Sequence, residues 1–133
     1  MKILIFLTFI HVVKALGPLI FSEEFNYSGG PDPNVWTQEL GGGGWGNNEL
    51  QFYTDRNAYV QNGFLTIESK REDWGGRSYT SARLITKRAF TYGVFEMRAK
   101  IPEGRGSWPA FWLLASKRPL NWPTDGEIDV LGN

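Results

Sequence analysis

Short runs of alternating apolar and polar residues, separated by stretches rich in glycine and proline, make up most of this chain. The most regular run extends from Val94 to Ile101. A period of two is that of a β-strand with one buried face, whereas an amphipathic helix would show a period of 3.6, which no segment displays convincingly. We therefore predict an all-β protein in which this run points four side chains inward: Phe95, Met97, Ala99 and Ile101.

Turn signals divide the other runs into further strands. The pair Asn62 and Gly63 lies between Tyr59-Val60 and the run 64–70, and Asn-Gly is a strong signal for a β-hairpin. Two more strands are predicted, one over residues 19–25, which a turn cluster at 29–33 ends, and one over residues 78–86.

The run from Ser107 to Leu114 is apolar at both alternating sets of positions, which predicts a strand covered on both faces. Trp108 and Trp112 would then share a face with Ala110, about 13 Å apart at Cα, while Phe111 and Leu113 face the other way. That spacing suits an elongated ligand that contacts both rings. The alternative is that both indoles are core residues, since buried Trp is common.

The run from Glu127 to Leu131 alternates acidic and aliphatic side chains. As a strand it would divide them between two faces, with Glu127, Asp129 and Leu131 opposed to Ile128 and Val130. Carboxylates at positions i and i+2 lie roughly 6 to 7 Å apart at Cα. Such a pair suits acid/base or nucleophilic chemistry.

The run Trp-Pro-x-x-Gly-Glu-Ile-Asp-Val, which begins at Trp122, resembles the catalytic strand of glycoside hydrolase family 16, the secreted endo-β-glucanases that include the laminarinases. The resemblance implies that Glu127 is the nucleophile and that Asp129 assists it. The family's acid/base Glu follows five residues after the nucleophile in laminarinase-like members and four in relatives without a strand bulge. Here those positions hold Gly132 and Leu131, neither of which can carry the proton.

Two further stretches resemble the family. The loop Gly-Trp-Gly-Asn-x-Glu-x-x-x-Tyr, within residues 41–53, would bring backbone and Asn side chains to the sugar. The run Ser-Ala-Arg at 81–83 would place an Arg beside the cleft. A flexible linker or a phosphate-binding loop are the alternatives for the first, and a solvated Arg for the second. The substrate-binding residues implied by the resemblance are Trp45, Asn47, Asn48, Glu49, Arg83, Trp108, Trp112 and Trp122.

The resemblance covers residues 19–130 and implies a concanavalin-like β-jelly-roll sandwich of two antiparallel sheets. All-β domains of this kind often need roughly 200 to 250 residues. We therefore expect residues 16–133 to be the N-terminal part of a glycoside hydrolase family 16-like domain, truncated at the catalytic strand.

Composition excludes several other classes. Fourteen basic and fourteen acidic residues give a formal net charge of zero, which removes the electrostatic argument for nucleic acid or an anionic membrane as partner. No Cys and a single His leave neither a disulfide framework nor a zinc ligand set. We expect no cofactor and no metal site, although some family members bind Ca²⁺, and we expect a monomer whose partner is a β-glucan polysaccharide.

The first residues predict export. Lys2 is followed by an apolar run that is short for a membrane span, and Val13 and Ala15 are residues of the kind a signal peptidase reads. We predict a signal peptide over residues 1–15 and an extracellular protein. A buried N-terminal strand or a membrane anchor is the alternative.

The resemblance implies a retaining endo-β-1,3-glucanase, and the missing acid/base Glu implies that the chain with this sequence is poorly active. Mixed-linkage glucan and galactan are alternative substrates. A non-catalytic β-glucan recognition protein of the same fold is the alternative from another functional class, and the intact Glu127 and Asp129 count against it. A third possibility is a non-functional truncated product that exposes strand edges.

Overall fold

The structure is a computed structural model that describes residues 17–132, so the predicted signal peptide, residues 1–15, lies outside the described residues. Over residues 17–132 the regular secondary structure consists of eight strands without a helix, which confirms the all-β prediction. The chain divides into two compact units, Met1–Ala89 and Phe90–Asn133. Each is described by itself below.

The first unit contains six strands: β1 Trp36–Glu39, β2 Phe52–Tyr53, β3 Ala58–Gln61, β4 Phe64–Ile67, β5 Thr80–Ser81 and β6 Arg83–Thr86. They form three pairs, of which β1–β6 and β3–β4 are antiparallel and β2–β5 is parallel. The two-residue β2–β5 pairing is a local departure from the antiparallel arrangement expected. Between these two strands the β3–β4 hairpin and a loop intervene, so the chain returns in its original direction.

The second unit contains β7 Phe111–Leu114 and β8 Glu127–Leu131, which form one antiparallel pair. Both strands lie within runs that the sequence predicts to be strands. β8 has the bounds expected from its alternation of acidic and aliphatic residues.

The hairpin predicted at Asn62 and Gly63 is confirmed. Gln61 of β3 lies opposite Phe64 of β4, so Asn62 and Gly63 form a two-residue turn between the two strands. Their φ angles are 55° and 78°, the left-handed values that a type I′ turn requires at both central positions. Asn and Gly adopt them at low cost, which explains why this signal predicts the turn so well.

The most buried residues of the first unit combine small apolar side chains with polar ones. Ala58, Val60 and Ala82 are the buried hydrophobic residues, while Asn57 and Thr80 are 1% and 0% exposed. The Asn57 amide donates to the Glu68 carbonyl oxygen at 2.8 Å and to the Thr80 hydroxyl at 2.9 Å. A satisfied buried amide fixes geometry that an apolar contact would leave free.

The strand predicted over residues 78–86 is in fact two strands. β5 pairs with β2 and β6 pairs with β1, and the buried Ala82 lies between them. A small residue there lets the chain pass from one pair to the other.

Three predicted strand segments are not strands. Residues 19–25, 94–101 and 107–110 are irregular, and the side chains predicted to point inward are largely exposed, with Met97 at 45% and Ile101 at 39%. A strand is stabilised by hydrogen bonds to a neighbour, and within residues 17–132 no strand is paired with any of these segments. The prediction that residues 107–114 are covered on both faces is also wrong, because all four residues of β7 are only half-buried.

Phe52 of β2 is packed against two glycines that are distant in sequence. A Cβ atom added to Gly42 would lie 2.8 Å from the Phe52 ring, and one added to Gly75 would lie 2.4 Å from it. Both distances are shorter than side chains tolerate. These glycines therefore provide room for an aromatic ring.

Candidate active site

The two carboxylates of β8 lie on one face of the β7–β8 pair. Asp129 is opposite Trp112 and Glu127 is opposite Leu114, while Ile128 is opposite Leu113 on the other face. Directly opposed residues of an antiparallel pair project to the same side. We name the side that carries Glu127, Asp129 and Trp112 the carboxylate face.

A β-bulge interrupts this pair. Trp112 lies opposite Asp129, but the preceding residue, Phe111, lies opposite Leu131, so Val130 is an extra residue in β8. A bulge offsets the alternation of side chains that follow it. Leu131 consequently lines an apolar groove with Phe111 and Val130, and the prediction that Leu131 shares a face with the carboxylates is wrong.

The bulge also determines which residue next reaches the carboxylate face. A Cβ atom built on Gly132 would lie 3.6 Å from the Cβ and 3.8 Å from Oδ2 of Asp129. These are ordinary van der Waals contacts, so a side chain at this position would lie beside Asp129. The five-residue spacing of bulged family members therefore applies to this chain, and the expected acid/base position is Gly132.

Trp122 contacts the predicted nucleophile. Its indole N–H donates to Glu127 Oε2 at 3.0 Å, although the side chain of Trp122 is 67% exposed. A hydrogen bond from a neutral donor to a carboxylate is stronger than one between neutral groups. Trp122 therefore orients one oxygen of Glu127, in addition to the substrate contact that the sequence predicts for it.

In the first unit, Arg83 brings several predicted residues together. Its guanidinium group lies 4.5 Å from the centre of the Trp45 ring, and its Nε donates to Glu39 Oε2 at 2.5 Å. Trp45 in turn donates through its indole nitrogen to the carbonyl oxygen of Gly41 at 3.1 Å and meets Tyr53 edge to face, with ring centroids 5.5 Å apart. We name Glu39, Trp45, Glu49, Tyr53 and Arg83 the loop cluster.

Glu49 holds the glycine-rich loop together. Its carboxylate accepts hydrogen bonds from Asn47 at 3.3 Å, from Gln51 at 2.6 Å and from the Tyr53 hydroxyl at 2.6 Å. Burial, reinforced by the hydrogen bond to Glu49, raises the pKa of Tyr53 well above its ordinary range. These contacts make the segment an ordered loop. The flexible-linker alternative is wrong.

Trp108 and Asn48 are the remaining residues predicted to bind substrate. Trp108 precedes β7 and is 54% exposed, so the 13 Å separation expected of two indoles on one strand does not apply. Asn48 adopts a left-handed φ of 56°. Their roles in substrate binding stay predictions.

Two residues of the loop cluster, Glu39 and Tyr53, are absent from the predicted binding residues. Tyr53 could have been found, because it is the last residue of the loop motif. Glu39 could not, because 44 positions separate it from Arg83 and no local pattern marks the pair.

Within residues 17–132, no group of three or more His, Cys, Asp or Glu side chains is arranged to hold a metal ion. In the same range no helix has the length and apolar character needed to cross a membrane.

Residues 44–133 match the family model for the XgeA-like, catalytic glycoside hydrolase family 16 domain. The chain belongs to glycoside hydrolase family 16. This membership confirms the resemblance based on the loop motif and the catalytic strand.

Individual relatives agree. A β-glucanase from Rhodothermus marinus is 51% identical over 121 aligned positions, which span 85% of this chain and 42% of that protein. The laminarinase structure from the same organism superposes with a TM-score of 0.81 at 48% identity and covers 86% of this chain and 49% of that one. A β-1,3-glucan-binding protein from Penaeus monodon is 34% identical over 158 aligned positions, which span 85% of this chain and 42% of that protein.

The chain therefore spans slightly less than half the length of these relatives. Laminarinases of this family have the jelly-roll fold, so the superposition confirms the predicted fold class.

Proposed function

We propose that the domain to which this chain belongs hydrolyses internal bonds of a β-1,3-glucan with retention of configuration. The observation that carries the proposal is the carboxylate face, where Glu127 and Asp129 share one side of β8 and the Trp122 indole holds an oxygen of Glu127. The relatives named above as a β-glucanase and a laminarinase support the substrate class.

In this mechanism the free oxygen of Glu127 attacks the anomeric carbon. The bond between that carbon and the glycosidic oxygen breaks, and the leaving oxygen takes a proton from an acid. Water then attacks the anomeric carbon of the glycosyl ester while the conjugate base of that acid accepts its proton, and the carboxylate of Glu127 is released. Asp129, two residues along on the same face, assists the nucleophile, as the family resemblance implies.

The acid position is occupied by Gly132, so this chain has no group there to protonate a poor leaving group. General acid assistance is typically worth 10² to 10⁴ in rate. We expect the chain to form the glycosyl ester with activated substrates and to cleave natural glucan slowly.

Covalent trapping tests the assignment. The chain is incubated with a 2,4-dinitrophenyl 2-deoxy-2-fluoro-β-glucoside, whose leaving group departs without a proton. We expect a mass increase of one fluoroglucosyl group, located on Glu127 by peptide mapping and absent from Glu127→Gln. An adduct on another residue, or an equal adduct in Glu127→Gln, would overturn the proposal.

A second candidate function is glucan recognition without hydrolysis. It is favoured by Gly132, which leaves the acid/base position without a carboxyl group, and by the relative named as a β-1,3-glucan-binding protein. Laminarin that binds the chain while the reagent leaves Glu127 unlabelled would favour recognition. Labelling of Glu127 would favour the hydrolase.

We also propose that the protein acts outside the cell. The basic and apolar N-terminal residues 1–15 support export. Expression with and without these residues, followed by N-terminal sequencing of secreted material, tests this, and we expect the mature protein to begin near residue 16.

A further inference from the structure

The turn that precedes β8 is closed by one acidic side chain, Asp125. Its side chain is only 10% exposed, and its Oδ1 pairs with Lys117 Nζ at 2.7 Å. Its Oδ2 accepts a hydrogen bond from the backbone N–H of Asn121 at 2.7 Å. The contact with Lys117, reinforced by that backbone hydrogen bond, holds the pKa of Asp125 below its ordinary value.

Backbone bonds complete the same turn. The Asp125 N–H donates to the Asn121 carbonyl oxygen at 2.9 Å, and the Gly126 N–H donates to that of Pro123 at 3.0 Å. Asp125 therefore bonds Asn121 through both its backbone and its side chain. These bonds close the turn formed by residues 121 to 126, and the ion pair connects this turn to Lys117.

Trp122 is part of this turn. Its side chain is 67% exposed, so packing contributes little to the orientation of its ring. The indole nitrogen nevertheless lies 3.0 Å from Glu127 Oε2. With packing weak, the backbone of the turn is what directs the indole toward the carboxylate.

We propose that Asp125 is a positioning residue for the nucleophile: by closing the turn 121–126 it directs the Trp122 indole N–H onto Glu127. The catalytic part of this inference rests on the proposed function. The link from Asp125 through the turn to the hydrogen bond between Trp122 and Glu127, called the relay below, is inferred from the geometry of the second unit alone. Nucleophile placement is a property to which rates are sensitive, since an error of about 1 Å can cost 10²-fold.

The relay can be observed directly by NMR. In the ¹⁵N-labelled chain each of the six Trp residues gives one indole N–H resonance, and that of Trp122 is the one lost in Trp122→Phe. We expect Glu127→Ala to move this resonance, because its acceptor is removed. We expect Asp125→Ala to move it in the same direction while the other five indoles remain in place.

Matched controls separate positioning from folding. Asp73 is an exposed acidic residue of the first unit, so Asp73→Ala should leave the Trp122 resonance unchanged. If Asp125→Ala disturbs all six indoles, Lys117→Met serves instead, since it removes the ion pair and keeps the bond to Asn121. We then expect a shift of the Trp122 resonance in the same direction and smaller than that of Glu127→Ala. An unmoved Trp122 resonance in a folded Asp125→Ala or Lys117→Met chain would overturn the relay.

Labelling by the fluoroglucoside tests the catalytic part. We expect Asp125→Ala to be labelled about tenfold more slowly than Asp73→Ala. Equal labelling rates with an unmoved resonance would refute the positioning role and leave the proposed function intact. A chain that is never labelled, but whose Trp122 resonance follows Asp125, would refute the proposed function and leave the relay intact.

Discussion

Gly132→Glu should supply the acid/base carboxyl group that the carboxylate face lacks beside Glu127 and Asp129. The position is suitable because a Cβ atom there lies 3.6 to 3.8 Å from Asp129, in ordinary contact and without a clash. The negative charge of Asp129 would oppose loss of the proton from the new carboxyl group. A carboxyl group that retains its proton is what a general acid requires.

The expected gain depends on the leaving group. For laminarin, whose leaving oxygen needs a proton, cleavage by Gly132→Glu should rise by about 10² to 10⁴. For a dinitrophenyl β-glucoside, whose leaving group needs none, the rate of glycosyl ester formation should change little. The ratio of the two rates therefore isolates the acid from any general improvement in binding.

Leu131→Glu is the matched control. It introduces the same side chain one residue earlier, where the bulge at Val130 directs it into the apolar groove with Phe111. The cleavage rates of the unsubstituted chain, Gly132→Glu and Leu131→Glu are measured by the release of reducing ends from laminarin. A gain in Leu131→Glu without one in Gly132→Glu would show that the faces assigned after the bulge are reversed, and an unchanged rate in both would refute the acid position.

Three further measurements test other parts of the structure. Trp112→Ala should weaken laminarin binding by about 1 to 3 kcal/mol, the contribution of one aromatic stacking contact, as measured by calorimetry. Normal binding with a much lower melting temperature would show that Trp112 is a core residue. Glu127→Asp, which shortens the nucleophile, should slow fluoroglucoside labelling by at least about 10²-fold, and undiminished labelling would contradict its role. Because the raised pKa of Tyr53 keeps its proton in the folded state, stability should fall as the pH rises above about 10. Denaturant melts from pH 8 to 11 should show a smaller loss in Tyr53→Phe than in the exposed control Tyr92→Phe, and equal losses would argue against the burial of Tyr53.

Features set by neighbouring residues could be predicted from the sequence. The hairpin at Asn62 and Gly63 requires two left-handed residues, and few pairs adopt that conformation as easily as Asn-Gly. The shared face of Glu127 and Asp129 follows from the period of a strand alone. In these cases the physical cause lies within a few residues of its effect.

Features set by distant partners could not be predicted. The alternation from Val94 to Ile101 is a genuine β pattern, but a strand forms only against a neighbour, and residues 94–101 have none among the described strands. The bulge at Val130 is likewise defined by its pairing with β7 and not by its own side chain. The contact between Glu39 and Arg83 joins β1 to β6, and only the paired backbone reveals it.

The packing of Phe52 against Gly42 and Gly75 has a consequence for how this family can vary. Three positions spread over 34 residues share one volume, so none of them can change size independently. A sequence that carries Ala at position 42 should carry a smaller residue than Phe at position 52. In an alignment these columns would vary together, and the covariation would record steric exclusion without any part in sugar binding.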